Sequence, residues 1–397
     1  MNKLAELRLK QPALNNEKGV KTHSIFQKLQ FFDIITGQPP DIMHDMLEGT
    51  IPLNFHDMMD QFKTDKVLTV SGLNYALKNF NYGKVDLKDG KVPHNLFTMF
   101  SLKNTGGFKM SATNTWTLSR IFPLIFGRKL KNNRHYNHYL IGIKIFWLLM
   151  ADSFTEESIC QIEEMIKTYL SDYMKLYKKI TPKLHFLSHY GRMIRMFGAP
   201  KNCWVMRFEA KHSYFKRVQH SIHNTINTSK SLAKRHQYLQ VNKLNSMEYL
   251  KFDIVETGPI KKISISTMTM IKDSLSDDLD ITNVKWATYK SIKYQLGCVI
   301  FTPNKLYGKI EHIVVQGNNL FFIISILENV NYESYLNCYS ISENKTRPFT
   351  SICCSDLIYV WPMDIYSVTS NKYVIMKYPP IDHRHTVTNS DNYSIFN

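Results

Sequence analysis

The stretch Gly37 to Ile51, GQPPDIMHDMLEGTI, gathers Asp41, His44, Asp45 and Glu48 into eight residues. Carboxylates and an imidazole this close can hold a divalent cation, pass protons, or cap and charge the start of a helix. Positions 41, 44, 45 and 48 stand at i, i+3, i+4 and i+7. On an α-helix this spacing puts all four on one face and leaves Ile42, Met43, Met46 and Leu47 for packing. Pro39 and Pro40 force an extended approach, so a helix is predicted from about Asp41, whose carboxylate takes the free amides of the first turn. Local spacing fits a functional cluster and a well-capped helix start alike.

Farther along, CWVMRFEAKHSYFKR (203 to 217) holds a lone acid, Glu209, among Arg207, Lys211 and His212. Such a carboxylate either pairs with a neighbouring cation or ligates a metal that engages phosphate. Metal-dependent phosphoryl transfer needs two or three of them. His185 and His189 in KLHFLSHY are one helical turn apart, the spacing of paired zinc ligands. No Glu stands where H-E-x-x-H requires one and no third ligand is near, so packed or phosphate-facing histidines are the favoured reading. The chain has no P-loop, no dinucleotide fingerprint and no G-x-S-x-G elbow. Cys203 would act as a nucleophile only if the fold brought a histidine to it.

The elements that must position these groups are mainly helical. Residues 53 to 82, Asn114 to Phe126 and His135 to Ala151 read as helices, and NYGKVDLKDGKVP (81 to 93) as a turn-rich loop or hairpin around its D-G step. Ser153 to Glu156 matches a capping box. Behind it, apolar residues recur from Ile159 to Ile180 at intervals of three and four, predicting a long amphipathic helix. Thr181-Pro182 opens another helix that Gly198 ends. After Leu250 the composition changes: KDSLSDDLDITN (272 to 283) is acidic and linker-like, and from about Trp286 the period shifts towards two. Five or six strands are expected there, with a hairpin at Gly317-Asn318-Asn319, forming a small twisted barrel.

The chain has 397 residues, 44% apolar and 13% aromatic, enough for a sizeable core and two or three domains. Its 50 Lys and Arg against 33 Asp and Glu give a formal charge of +17, which points to a polyanion such as nucleic acid, with an acidic membrane surface as second choice. Between Thr181 and Lys251 stand thirteen basic residues and two acids, Glu209 and Glu248, with six histidines and several aromatics interleaved. That mixture suits phosphate contacts and base stacking, and the candidate DNA-binding residues are Lys183, Arg192, Arg195, Arg207, Lys211, Lys216, Arg217, Lys234 and Arg235. The alternative is a solvated basic face. The six cysteines form no C-x-x-C pair, which favours a reducing compartment. The apolar run Tyr139 to Ala151 is too short for a bilayer and contains Lys144, so no membrane span is expected, and the N-terminus lacks a signal-peptide core.

PPDIMHDMLEGTIP, PKLHFLSHYGRMIRMFG and MRFEAKHSYFKR together resemble transposase-derived proteins of the CACTA/Mirage/Chapaev group of cut-and-paste elements, over roughly residues 20 to 240. The resemblance implies an RNase H-like fold with an Asp, Asp, Glu triad for two Mg²⁺ or Mn²⁺ ions and a helical insertion before the Glu. Its Asp-x-x-His signature matches Asp41 and His44, and Glu209 falls on the third carboxylate, so Asp41, His44 and Glu209 become the candidate catalytic residues. Glu209, with Asp41 and His44, would hold the metal. The first two catalytic Asp residues belong upstream of Asp41, yet forty residues precede it and Asp33 is their sole aspartate. The expectation is therefore the C-terminal part of a transposase without independent catalysis.

The expected fold is α+β: a mainly helical remnant of an RNase H-like domain with its insertion, followed by a small barrel-like β domain. Its parts are a core end with the Asp-x-x-His motif (1–52), the insertion (53–200), a basic segment with the triad Glu (201–250), a linker (251–284), the β domain (285–380) and a tail (381–397). DNA is the expected partner, with self-association as an option, and family and charge imply the nucleus, or otherwise the cytoplasm. One alternative is an active strand-transfer enzyme completed by upstream sequence or a partner. Another is an interaction scaffold using exposed Tyr332, Tyr335 and Trp361 of the β domain.

Overall fold

The computed structural model describes residues 25–33, 36–89, 92–93, 95–103, 108–223, 226–246, 255–262, 281–343 and 349–380. It is mixed α and β, with the helices in the first part of the chain and antiparallel strands in the last.

The opening motif forms a π-helix, Met43–Thr50, that runs directly into α1, Ile51–Thr64. Pro52 brings no N–H to this continuous winding, and the carbonyl of Glu48, four residues before it, is met instead by Lys183 Nζ at 3.2 Å. α1 is the centre of the helical core. Phe55, Met58, Met59 and Phe62 are fully buried, and Phe55 meets the rings of Phe97, Phe108, Phe122 and Tyr139. A helix buried on all sides must satisfy its polar residues internally. Asn54 Nδ2 donates to Tyr169 Oη at 2.9 Å and meets His138 Nδ1 at 3.2 Å, while Asp57 receives Lys179 Nζ at 2.7 Å and the Tyr173 hydroxyl.

Around α1 lie α2 (Val70–Asn79), α3 (Lys84–Asp89), α4 (Met99–Leu102), α5 (Ala112–Leu130), α6 (Arg134–Leu149) and α7 (Glu156–Tyr177). Residues 84 to 89 are thus helical where a loop or hairpin was predicted; Gly90 lies outside the described residues. α7 starts differently from expectation: Thr155, not Ser153, caps it, in a reciprocal box with Ser158. The single helix predicted from Thr181 to Gly198 is three pieces, α8 (Pro182–Phe186), a 3₁₀ turn (Leu187–His189) and α9 (Tyr190–Phe197). This segmentation lets Leu184, Leu187, Tyr190 and Ile194 all reach the core. Then follow α10 (Pro200–Cys203), α11 (Met206–Ile222) and α12 (Thr228–Asn245).

The β region starts earlier and holds more strands than predicted. β1 (Glu256–Thr257) pairs with β3 (Trp286–Tyr289), which pairs with β4 (Ile292–Gln295), so part of the expected linker belongs to a sheet. The second sheet runs in the order β10 (Tyr359–Met363), β5 (Val299–Phe301), β6 (Tyr307–Gln316), β7 (Asn319–Glu333), β8 (Cys338–Glu343), β12 (Asn371–Val374) and β11 (Ile365–Val368). β2 (Ile281–Val284) adds to β6, and β9 (Thr350–Cys353) to β7. β6 and β7 make the predicted hairpin, its two-residue loop opened by Gly317 at φ +59°, where glycine carries no steric penalty.

The two regions are fastened to each other. Asp86, fully buried on α3, pairs with Arg120 Nη2 of α5 at 2.8 Å and accepts the Tyr366 hydroxyl of β11. Asp364 Oδ2 accepts Val85 N–H at 2.6 Å, and Tyr136 Oη donates to the Tyr335 carbonyl at 2.5 Å. The three aromatics of the scaffold reading are half-buried rather than exposed, with Trp361 packed on Tyr378 at 4.6 Å. No described helix is long and apolar enough to cross a membrane.

Candidate functional site

The π-helix positions the candidate residues. Wider winding, rare in proteins and frequent at functional sites, changes which side chains share a face. Asp41, at its entrance, has both carboxylate oxygens occupied. Oδ1 accepts Met43 N–H at 3.2 Å and Val205 N–H at 3.1 Å; Oδ2 accepts His44 N–H at 3.4 Å and contacts His44 Nδ1 closely. The predicted cap is present, and through Val205 it also joins the π-helix to the start of α11. Because Asp41 engages Nδ1, the other edge of the ring is fixed in direction. Nε2 of His44 stands 3.5 Å from Glu209 Oε1 and 3.9 Å from Glu48 Oε2.

Asp41, His44 and Glu209, the three residues matched from opposite ends of a long helical stretch, therefore do meet in space. Glu48 joins them and also accepts Ala112 N–H at 3.3 Å, taking one of the unpaired amides that open α5. Asp45 does not join them. It is buried, accepts a hydrogen bond from Tyr190 Oη at 3.1 Å, and burial raises its carboxyl above the ordinary value. The expected four-residue face is thus a face of three, with Asp45 turned into the core. Solvent reaches His44, Glu48 and Glu209, whose side chains keep 44%, 33% and 49% of their exposure.

A contribution that spacing did not suggest comes from Lys183. Its ammonium donates to the carbonyls of His44 at 2.9 Å and Glu48 at 3.2 Å, and its stem lies where a Cβ on Gly49 would come within 2.5 Å. Gly49 is the residue that admits it. A lysine stapled to two carbonyls is committed to holding the π-helix, so Lys183 is not open to phosphate. Arg195 is likewise engaged, by Glu156 at 2.5 Å and Glu163 at 2.6 Å, and its guanidinium holds both carboxyls below their ordinary values. Arg192 stays exposed on α9.

The remaining predicted cations stand on α11 and α12, which form an antiparallel hairpin closed by Phe215–His236 and Tyr214–His236 ring contacts at 5.6 and 6.2 Å. Neither helix buries a single residue. They carry Arg207, Lys211, Lys216, Arg217, Lys230, Lys234, Arg235 and Lys243 against one acid, Glu209. Among the described residues, Arg207, Lys211, Lys216, Arg217, Lys234 and Arg235 make no ion pair, while Lys211 and Lys234 lie over the rings of Tyr214 and Tyr238 at 4.9 and 5.6 Å. Phe208 and Tyr238 are 70% and 61% exposed. Glu209 sits in the first turn of α11, so the cationic hairpin begins at the His44 cluster.

The paired divalent cations implied by the transposase resemblance need several open carboxylates. Both Asp41 oxygens are already taken, leaving Glu48, Glu209 and one imidazole edge. Among the described residues no group of three His, Cys, Asp or Glu side chains is arranged to hold a metal ion. What the arrangement does offer is an acid and imidazole cluster at the root of a positively charged, aromatic-bearing arm. No protein-family model, no curated protein and no solved structure matches this chain.

Proposed function

We propose that this chain binds nucleic acid along the α11–α12 hairpin, and that it derives from a DDE cut-and-paste transposase whose Asp-x-x-His and Glu motifs survive at Asp41, His44 and Glu209. The observation that carries the binding reading is the hairpin itself. It has eight Lys and Arg against one Glu, no buried residue, and rings beside its cations. Six of these cations, Arg207, Lys211, Lys216, Arg217, Lys234 and Arg235, make no ion pair among the described residues and remain available to phosphates. The aromatic rings add stacking surface for bases. In the same reading the helical part descends from an RNase H-like domain with a helical insertion, the β-rich part is a small barrel-like module, and the protein works in the nucleus on DNA without cutting it.

Fluorescence anisotropy with a short DNA duplex at several salt concentrations tests this. Tight binding at low salt should weaken steeply as salt rises, because cations on the hairpin displace condensed counterions. Binding that ignores salt, or survives charge reversal of the hairpin unchanged, removes the proposal.

The convergence of His44 with Glu48 and Glu209 favours one second reading, a metal-dependent strand-transfer enzyme whose remaining carboxylates come from a partner or from further sequence. Mn²⁺-dependent nicking of the same duplex that Glu209→Gln abolishes would establish it; nicking absent with and without Mn²⁺ would leave the binding protein alone.

A further inference from the structure

His185 and His189 stand where α8 gives way to the 3₁₀ turn. Their Nε2 atoms are 3.3 Å apart, with ring centroids 4.9 Å apart and ring planes at 87°. The nitrogens are closer together than the ring centres, so the Nε2 edges turn towards one shared volume. Both side chains are exposed, and among the described residues neither ring has any other hydrogen-bond partner.

The spacing has a chemical meaning. A tetrahedral cation bound by imidazole nitrogens at about 2.0–2.1 Å places two of them roughly 3.3–3.4 Å apart. The observed separation matches that edge, and it is longer than an ordinary N–H hydrogen bond, typically about 2.9–3.0 Å. The backbone beneath is well anchored: Leu184, Leu187 and Tyr190, interleaved with the two histidines, are fully buried, and Lys183 ties the same segment to the π-helix. Two ligands carried on a fixed segment lose little freedom when a cation arrives.

We propose that His185 and His189 form a two-imidazole site for a borderline dication of the zinc class, with water completing the coordination. Imidazole suits Zn²⁺, Cu²⁺ or Ni²⁺, whereas Mg²⁺ takes oxygen ligands, so the site is chemically distinct from the carboxylates around His44. Exposure of both rings lets the cation enter directly from solvent. It also leaves coordination positions through which a donor from another molecule can bind.

Calorimetric titration of the full chain with Zn²⁺ tests this, alongside His185→Ala, His189→Ala and His44→Ala, with circular dichroism on each. One Zn²⁺ equivalent should be lost in both His185→Ala and His189→Ala and kept in His44→Ala. In the unaltered chain, Zn²⁺ should shield both rings from diethyl pyrocarbonate, read by peptide mass spectrometry. The proposal is overturned if either variant keeps the parent's stoichiometry and affinity, or if Zn²⁺ leaves both rings as reactive as before.

Discussion

Inside the helical core the buried acids Asp57 and Asp86 are held by partners, whereas on the α11–α12 hairpin six cations make no ion pair among the described residues. Asp57 sits among His56, Tyr173 and Lys179, and Asp86 between Arg120 and Tyr366. The hairpin presents eight Lys and Arg with a single acid and buries nothing. A charge taken out of water must be met by a partner or the fold loses several kcal/mol, while a charge kept in water costs the fold little. Stability and the proposed nucleic-acid binding thus fall to different regions, and they can be perturbed one at a time.

The largest expected effect is on the core. Asp86→Ala removes the carboxylate that faces Arg120, 7% exposed, and accepts the Tyr366 hydroxyl, and should cost about 3–5 kcal/mol in urea unfolding. DNA affinity per folded molecule should stay as it was; a variant as stable as the parent would mean that the buried pair contributes nothing. Next comes the hairpin. Lys216→Glu, Arg217→Glu and Arg235→Glu combined should leave the urea midpoint within experimental scatter and lower the magnitude of the salt slope of DNA binding by about 0.9 for each phosphate no longer neutralised. Equal loss of stability and binding in that variant would erase the division between the regions.

Asp41→Ala probes the seam between them. It removes the acceptor for Met43, His44 and Val205 N–H and frees the His44 ring, at about 1–2 kcal/mol. A melt unchanged from the parent's would show that the cap does not hold the seam. The smallest effect is acid-dependent. Burial alone would lift the Asp57 carboxyl, but its hydrogen bonds from His56, Lys179 and Tyr173 outweigh it and hold the group below its ordinary 3.8. Its contribution is complete above the unfolded value and is lost as pH falls through the lower folded value. Thermal melts from about pH 6 to about pH 3 should show Asp57→Asn losing less stability over that window than the parent. An equal decline would assign acid sensitivity to other groups.

How far the sequence announces all this depends on the kind of signal. The helices around α1 and α7 are legible because their apolar residues recur at helical period over many turns, and the Gly317-Asn318 hairpin because its turn chemistry is local. The meeting of Asp41, His44 and Glu209 is expected from the motif resemblance alone, since no local property of residue 41 points to residue 209. Asp45 is misplaced by spacing because i, i+3, i+4 assumes 3.6 residues per turn, and the π-winding rotates each position away from that wheel. Lys183 and Arg195 look like free cations because a basic count records charge and not whether a carbonyl or carboxylate already holds it. The β region is under-counted because strands of three or four residues, such as β5 and β9, are too short to show alternation.

The π-winding between Met43 and Thr50 has a consequence for how the chain can drift over generations. It amounts to extra backbone length accommodated inside what would otherwise be a continuous α-helix. Loss of one residue there would let ordinary winding run into Ile51, keep Phe55, Met58 and Phe62 in place, and swing His44 away from Glu209. Such a deletion would also turn Met43, Met46 and Leu47, all buried in the same core, away from their places, so the cluster and the packing beneath it are inherited together.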